Sequence, residues 1–269
     1  MSMGLRLYFD FIVFAFGAVV GSFLNVCIHR MPREESIVNP PSHCPKCHTR
    51  ISWRDNIPLV SFLVLGGKCR HCGVAISPRY MFVELLTASL FLAVWLKYEF
   101  QWVAPIYWVL VGGLLAATFI DFEHYIIPDE ITLGGVGVGL FASVLCPSLH
   151  QTEAVLGSLV QSALGALAGG VTLLVIALVG EKVYKKEAMG MGDVKFIAGI
   201  GAFLGWQAAL FSVFVSSLIG GVVGLALVLG SRKGWGSSIP YGPYIALAAL
   251  VWVFCGREFL DWYFSFLRG

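Results

Sequence analysis

The chain of 269 residues is 58% hydrophobic and only 13% charged, with a mean hydropathy of +0.81, which excludes an ordinary soluble domain and marks an integral membrane protein. A formal net charge of +2 is too small to support a nucleic-acid partner, so the placement of the charges carries the information.

Crossing a hydrocarbon core of ~30 Å takes roughly 20 apolar residues, and windows of about that length recur along the chain. The first, 11–28, follows Asp10 and reaches His29-Arg30 without a small-residue cleavage site, so it reads as a retained helix. Residues 30–79 then break the apolar pattern with prolines, charges and two cysteine pairs, Cys44-Pro-Lys-Cys47 and Cys69-Arg-His-Cys72. Two residues between paired cysteines let a tight knuckle aim both sulfurs at one ion, and two knuckles complete a tetrahedron around Zn²⁺. The 21 residues between the pairs suit a zinc-ribbon-like module. Disulfides or free redox-active thiols are the competing readings; a reducing cytoplasmic setting disfavours the first, and four sulfur ligands leave no open position for a catalytic metal.

Further windows follow at 85–96, which borrows Glu84 and its neighbours, at 100–120, 131–149 and 154–180, and at 234–256. The uncharged run from Phe196 to Ser231 is 36 residues, enough for two short spans turning near Gly205-Trp206-Gln207. The expected fold is therefore an all-α polytopic membrane protein of about eight transmembrane helices. Its parts are a first helix (1–29), a cytoplasmic four-cysteine module (30–79) and a membrane-embedded domain (80–269). Arg30, Arg33, Lys46, Arg50, Arg54, Lys68, Arg70 and Arg79 precede the second span. With eight spans, Lys182, Lys185, Lys186, Lys195, Arg232 and Lys233 join them, placing 14 of the 18 basic residues on one face, which the positive-inside bias makes cytoplasmic. Cys27, Cys146 and Cys255 fall within or beside spans and read as packing residues.

Ionisable groups inside membrane segments are costly, which makes them functional candidates. Asp121 ends the third span and Asp193 opens the sixth, in Met189-Gly-Met-Gly-Asp-Val-Lys195. One outward and one return span separate them, so both finish at the same surface. Two aspartates within hydrogen-bonding distance tend to share one proton, and such a pair can activate water with one member and polarise a peptide carbonyl with the other. Gly190 and Gly192 let the backbone approach a neighbouring helix or an extended peptide. The plainer reading of an aspartate at a helix start is a cap, which suits Asp129 in Pro128-Asp-Glu130 and suits Asp193 less. It suits Asp121 least, because negative charge is disfavoured at a helix C-terminus. Glu123 and His124 read as headgroup-level residues.

These features together resemble the type IV prepilin peptidases, bifunctional leader peptidases and N-methyltransferases of bacterial pilus and type II secretion systems. The resemblance rests on Gly21-Ser-Phe-Leu-Asn-Val-Cys-Ile-His-Arg-Met-Pro32, the four cysteines and Asn56-Ile-Pro-Leu-Val-Ser-Phe62. It continues through Gly66-Gly-Lys-Cys69, Pro78-Arg-Tyr80 with Glu84, the Asp121 segment, the Asp193 segment and Ile239-Pro-Tyr-Gly-Pro-Tyr244. It implies cleavage of a basic leader after glycine, ahead of a hydrophobic helix, in prepilins or pseudopilins at the bacterial inner membrane. Methylation of the new N-terminus from S-adenosylmethionine would follow. Asp121 and Asp193 match the family's catalytic aspartates, and the cysteines match those of the bifunctional members. Lys195 is expected to orient a carboxylate or the substrate. No Rossmann-type glycine fingerprint is present, so methyl transfer rests on the resemblance, and the expected cofactor surface is the loop around Gly66 and Gly67 together with the zinc module, where glycines can admit an adenosyl group. A proton-coupled transporter and a non-catalytic assembly factor are the rival classes; both candidate acids at one face argue against the transporter, whose sites favour the midplane.

Overall fold

The structure, a computed structural model, describes residues 3–185, 189–230 and 239–268. Lys186, Arg232 and Lys233, which enter the expected charge asymmetry, lie outside the described residues. Among the described residues the secondary structure is helical apart from two isolated bridges in the cysteine module, His43 with Arg50 and Lys68 with Ala75. The helices are α1 (Met3–Arg30), α2 (Val60–Val64), α3 (Pro78–Tyr98), α4 (Val103–His124), α5 (Asp129–Leu145), α6 (Val155–Tyr184), α7 (Met191–Leu229) and α8 (Gly242–Arg268). Helices follow from the apolar composition, because a segment in lipid must satisfy its backbone hydrogen bonds internally.

Among the described residues six helices are long and apolar enough to cross a membrane: α1, α3, α4, α6, α7 and α8. The shortfall from eight has two physical sources. Helix α5 has 17 residues, roughly 25 Å at ~1.5 Å per residue, which is under the ~30 Å of a hydrocarbon core. The 39 residues of α7 are two helices joined at Gly205, which has φ 83° and ψ 174°, a conformation only glycine adopts readily. The chain folds back at this glycine: a Cβ at Gly169 would stand 2.9 Å from the Ile197 carbonyl oxygen and 3.1 Å from the Ala209 Cβ, residues that a continuous helix rising ~1.5 Å per residue would hold about 18 Å apart, so the turn expected near Gly205 is present and α7 is two shorter helices counted as one.

Contacts divide the chain into two units, Met1–Ala104 and Pro105–Gly269. In the first, α1 lies against α3 through two small residues one turn apart. A Cβ at Gly17 would stand 2.7 Å from the Ala88 Cα, and one at Gly21 would stand 2.7 Å from the Glu84 Cα. This is a small-xxx-small contact, in which absent side chains let two backbones meet. At the far end of the pair, Asp10 accepts a hydrogen bond from the Trp95 indole N–H at 2.8 Å, which gives this intramembrane carboxylate a partner. Ser77 caps α3 by accepting from the Arg79 N–H, and Pro78 occupies the first turn, where a missing N–H costs nothing.

In the second unit the front half of α7 carries small residues on two sides. Helix α5 meets one side, where a Cβ at Gly139 would stand 2.8 Å from the Ala202 Cβ. Helix α6 meets the other, where Gly165 and Gly201 approach so closely that a Cβ on either would fall about 2 Å from the other's carbonyl oxygen. The Ser162 hydroxyl donates to the Ala202 carbonyl at 2.7 Å across the same seam. Phe11, Leu167, Phe214 and many other large apolar side chains are exposed, as expected of helix faces turned to lipid.

Candidate active site and cysteine centre

Asp121 sits in the last turn of α4 and is 5% exposed. Its Oδ2 accepts the backbone N–H of Gly242 at 2.8 Å, and the backbone of Tyr241 donates to the same carboxylate. Gly242 opens α8, so Asp121 satisfies N–H groups that a helix N-terminus leaves unpaired. Asp193 lies in the first turn of α7, three residues after the cap position Gly190. Its carboxylate reaches back to the Gly190 backbone, as the third-position acid of a capping box does. The capping reading of Asp193 therefore holds in part. The charge of Asp121 bears on Asp193, which places the two carboxyls within electrostatic reach.

Ile127, in the turn between α4 and α5, sets the spacing around the pair. A Cβ at Gly242 would lie 3.0 Å from both Asp121 Oδ2 and Ile127 Cδ1, and a Cβ at Gly192 would lie 3.5 Å from the Ile127 Cβ. Gly192 and Gly242 thus admit this one side chain between the starts of α7 and α8. The starts of α7 and α8 converge on the carboxyls, and the partial positive charge at each helix N-terminus favours an anion there.

The remaining residues expected here divide. Lys195, expected to orient a carboxylate or the substrate at this site, pairs with Asp129: its Nζ donates to Asp129 Oδ1 at 2.7 Å and Oδ2 at 3.0 Å. Pro128 takes the position before α5 without a side-chain cap, so Asp129 is the first helical residue and not the cap expected of it, and it serves as an ion-pair partner of α7. Sequence reasoning did not single out Tyr241 and Gly242. The Tyr241 hydroxyl bonds Ser216 at 2.7 Å and Ser217 at 3.0 Å, fastening the turn that presents both N–H groups to Asp121. The string Ile239–Tyr244 was their only signal in the sequence.

The four cysteines expected to share an ion come together, with all sulfurs within 4.8 Å of one another. Cys44 and Cys72 are 3.8 Å apart and Cys47 and Cys69 are 4.0 Å apart. A tetrahedron with Zn–S bonds of about 2.3 Å has edges of ~3.8 Å, so the donor set fits zinc. Two matching knuckles build it. The N–H of Cys44 bonds the Thr49 carbonyl and that of His48 the Cys44 carbonyl; Cys69 with Val74, and Gly73 with Cys69, repeat the pattern. His48 and Gly73 take positive φ at equivalent places in the two knuckles. The Thr49 hydroxyl, then its backbone N–H, bonds the Cys47 sulfur and brings that thiol down to about 6. The backbone N–H groups of Cys72 and His71 lower Cys69 as well. Those two thiols are predisposed to the thiolate form that binds metal, whereas Cys72, despite the Val74 backbone N–H, is pushed up to about 11 by desolvation and the neighbouring sulfurs. The Arg70 guanidinium grips Asp55 with both Nε and Nη2 and ties the second knuckle to the preceding turn.

Gly66 and Gly67 close α2, with φ of 59° and 66°, and their N–H groups bond the carbonyls of Leu63 and Phe62. That is a helix C-cap in which positive φ calls for glycine, and it accounts for both residues by backbone geometry. Of the remaining cysteines, Cys27 and Cys146 are buried as packing residues should be, whereas Cys255 is exposed on α8.

An α-helical, multi-pass membrane protein with two carboxyls at converging helix ends and a separate four-sulfur centre is the class these features define. Residues 15–98 match the Bacterial Peptidase A24 N-terminal domain, and residues 108–225 match the Type IV leader peptidase family. Relatives named "Prepilin leader peptidase/N-methyltransferase" include one from Aeromonas salmonicida (strain A449), 36% identical over 96% of this chain and 94% of the relative. Another, from Pseudomonas aeruginosa, is 35% identical over 93% of this chain and 91% of the relative. A third, from Myxococcus xanthus, is 38% identical over 84% of this chain and 65% of the relative. No solved structure matches. The chain belongs to the type IV prepilin peptidase family.

Proposed function

We propose that this protein removes the basic leader from type IV prepilins or pseudopilins after glycine and then methylates the new N-terminus, with Asp121 and Asp193 as the cleaving pair. The observation that carries the reading is the convergence of the two carboxyls, each held by backbone N–H groups at a helix start. In this scheme the ionised aspartate takes a proton from water while the protonated one hydrogen-bonds the scissile carbonyl. The water oxygen adds to the carbonyl carbon as its proton passes to the first aspartate, and that aspartate then gives the proton to the leaving nitrogen as the C–N bond breaks, yielding the leader carboxyl group and a free amine. A positively charged leader is drawn to the acidic pair, while the apolar helix behind it remains in lipid.

The site lies near the cytoplasmic face of the bacterial inner membrane in an eight-span arrangement, with α5 and the two sections of α7 completing the count. The domains are then 1–29, 30–79 and 80–269. Cys44, Cys47, Cys69 and Cys72 hold a structural Zn²⁺. S-adenosylmethionine supplies the methyl group, and Gly66 and Gly67 remain the proposed surface for it; the test is cofactor affinity in Gly67→Lys, where unchanged binding and methylation remove the assignment.

The cleavage reading is tested with purified protein in proteoliposomes and a synthetic prepilin. Asp121→Asn and Asp193→Asn should each lower leader removal by about 10²-fold to 10⁴-fold while zinc is retained. Full activity in either variant would defeat the pair.

A further inference from the structure

The cysteine module carries a surface unlike that of a soluble insert. Trp53 is 74% exposed, and along the short α2 Val60 is 53%, Leu63 70% and Val64 74% exposed. Val60, Leu63 and Val64 stand at helical spacing on one face. The two segments are tied together, since the Ser61 hydroxyl donates to the Arg54 carbonyl at 3.0 Å and accepts from the Ile57 N–H at 3.0 Å. The Arg54 guanidinium lies 5.3 Å above the Trp53 ring, a cation beside an amphipathic aromatic.

The depth of this hairpin is fixed by α3. The Leu59 N–H donates to Glu84 at 2.8 Å, and Ser22 of α1 also bonds that carboxylate. Glu84 lies six residues into α3, roughly 9 Å along a helix rising ~1.5 Å per residue. The whole of α3, at 21 residues, is about 31 Å, hardly longer than a hydrocarbon core. Leu59 and the α2 residues after it are therefore held below the end of a membrane helix, at the boundary between headgroups and acyl chains, where amphipathic segments bury an apolar face about 5–10 Å deep. Around them, residues 30–79 hold eight Lys or Arg against three Asp or Glu. That excess complements anionic headgroups.

We infer that residues 53–64 form an interfacial wedge that docks the module onto an anionic lipid leaflet, with Trp53, Leu63 and Val64 in the acyl boundary and Arg54 at the headgroups. Lipid is favoured over a protein occupant because the apolar face is set at bilayer depth by the helices of the same unit, and because the surrounding charge is of the sign that phosphatidylglycerol attracts.

The test places a photoactivatable leucine analogue at Leu63 in the full-length protein, reconstituted in phosphatidylcholine vesicles with or without phosphatidylglycerol. The same analogue at Leu225, an exposed position on α7, serves as the lipid-contact reference. Phospholipid adducts at Leu63 in yield comparable to Leu225, and at least about twofold higher with phosphatidylglycerol, support the inference. Adducts only with water, with a second copy of the chain or with added prepilin overturn it, and equal yields in the two vesicle types overturn its anionic part. An independent measurement compares wild type with Trp53→Phe in vesicles of lipids brominated near the headgroup end of the acyl chains. The Trp53 fluorescence, taken as the difference, should be quenched; an unquenched difference overturns the wedge.

Discussion

Gly242 has no room for a side chain, because the space its Cβ would fill is bounded by the Asp121 carboxylate and the Ile127 methyl, both at 3.0 Å. Gly242→Ala should therefore displace the N–H that Asp121 accepts, lowering kcat for leader removal by about tenfold or more, since sub-ångström errors in a catalytic group are costly. A melting temperature within a few degrees of wild type would accompany it, and Gly221→Ala, at a position open on all sides, should leave both unchanged. Unaltered kcat in Gly242→Ala would show that the contact does not position the carboxylate. The two aspartates were legible in the sequence because a charge in an apolar run is conspicuous. Gly242 and Tyr241 were not, because their part is played by backbone N–H groups that reach a carboxylate distant in sequence. Composition cannot register that.

Element packing decides which ion pairs form. Lys195 was legible as an orienting residue, but its partner depended on the register of α5 against α7, which set Asp129 opposite it. The pair is partly exposed, with side chains 34% and 57% accessible, so its contribution is small and weakens with salt. Lys195→Met should lower the melting temperature slightly at low salt, and the difference should vanish at high salt. The seam between α6 and α7 is far less tolerant. A methyl at Gly165 or Gly201 would overlap a carbonyl about 2 Å away, so Gly165→Ala and Gly201→Ala should abolish recovery of folded protein in detergent. Gly113→Ala on α4, where nothing lies within 4 Å, should fold as wild type or gain about 1 kcal/mol from helix propensity. That glycines abound was evident from the sequence; which of them face another backbone was not, since a small-residue pattern does not reveal its partner helix.

At the scale of the molecule, the cysteine module and the long helices respond to different variables. Metal binding requires thiolates, so acidification should release zinc as protons compete for the four sulfurs, with two of the thiols already lowered by backbone and Thr49 hydrogen bonds. The Arg70 guanidinium holds the Asp55 carboxyl below the usual carboxylate range. A group with a depressed pKa stabilises the fold above its ordinary value near ~3.9 and loses that contribution only as pH falls through the lower folded value. Zinc release should thus precede loss of the Asp55–Arg70 pair in an acid titration. Asp55→Asn should lower the thermal stability of the module at neutral pH without moving the pH of release, as read by a metal indicator and by hydrogen exchange of residues 42–76. The membrane class and the sulfur centre were readable because hydropathy and paired-cysteine spacing are local signals. The number of spans was less so, because a length of ~30 Å separates α5 from a crossing helix by only a few residues.

The break at Gly205 gives α7 the mechanics of two levers meeting at a joint. Asp193 rides on the forward lever, whereas the rear one grips the Tyr241 phenol through Ser216 and Ser217 and so governs the N–H groups that steady Asp121. That one glycine joins the segment bearing one acid to the segment that steadies the other. Any larger residue there would strain the left-handed backbone and with it the joint between the two.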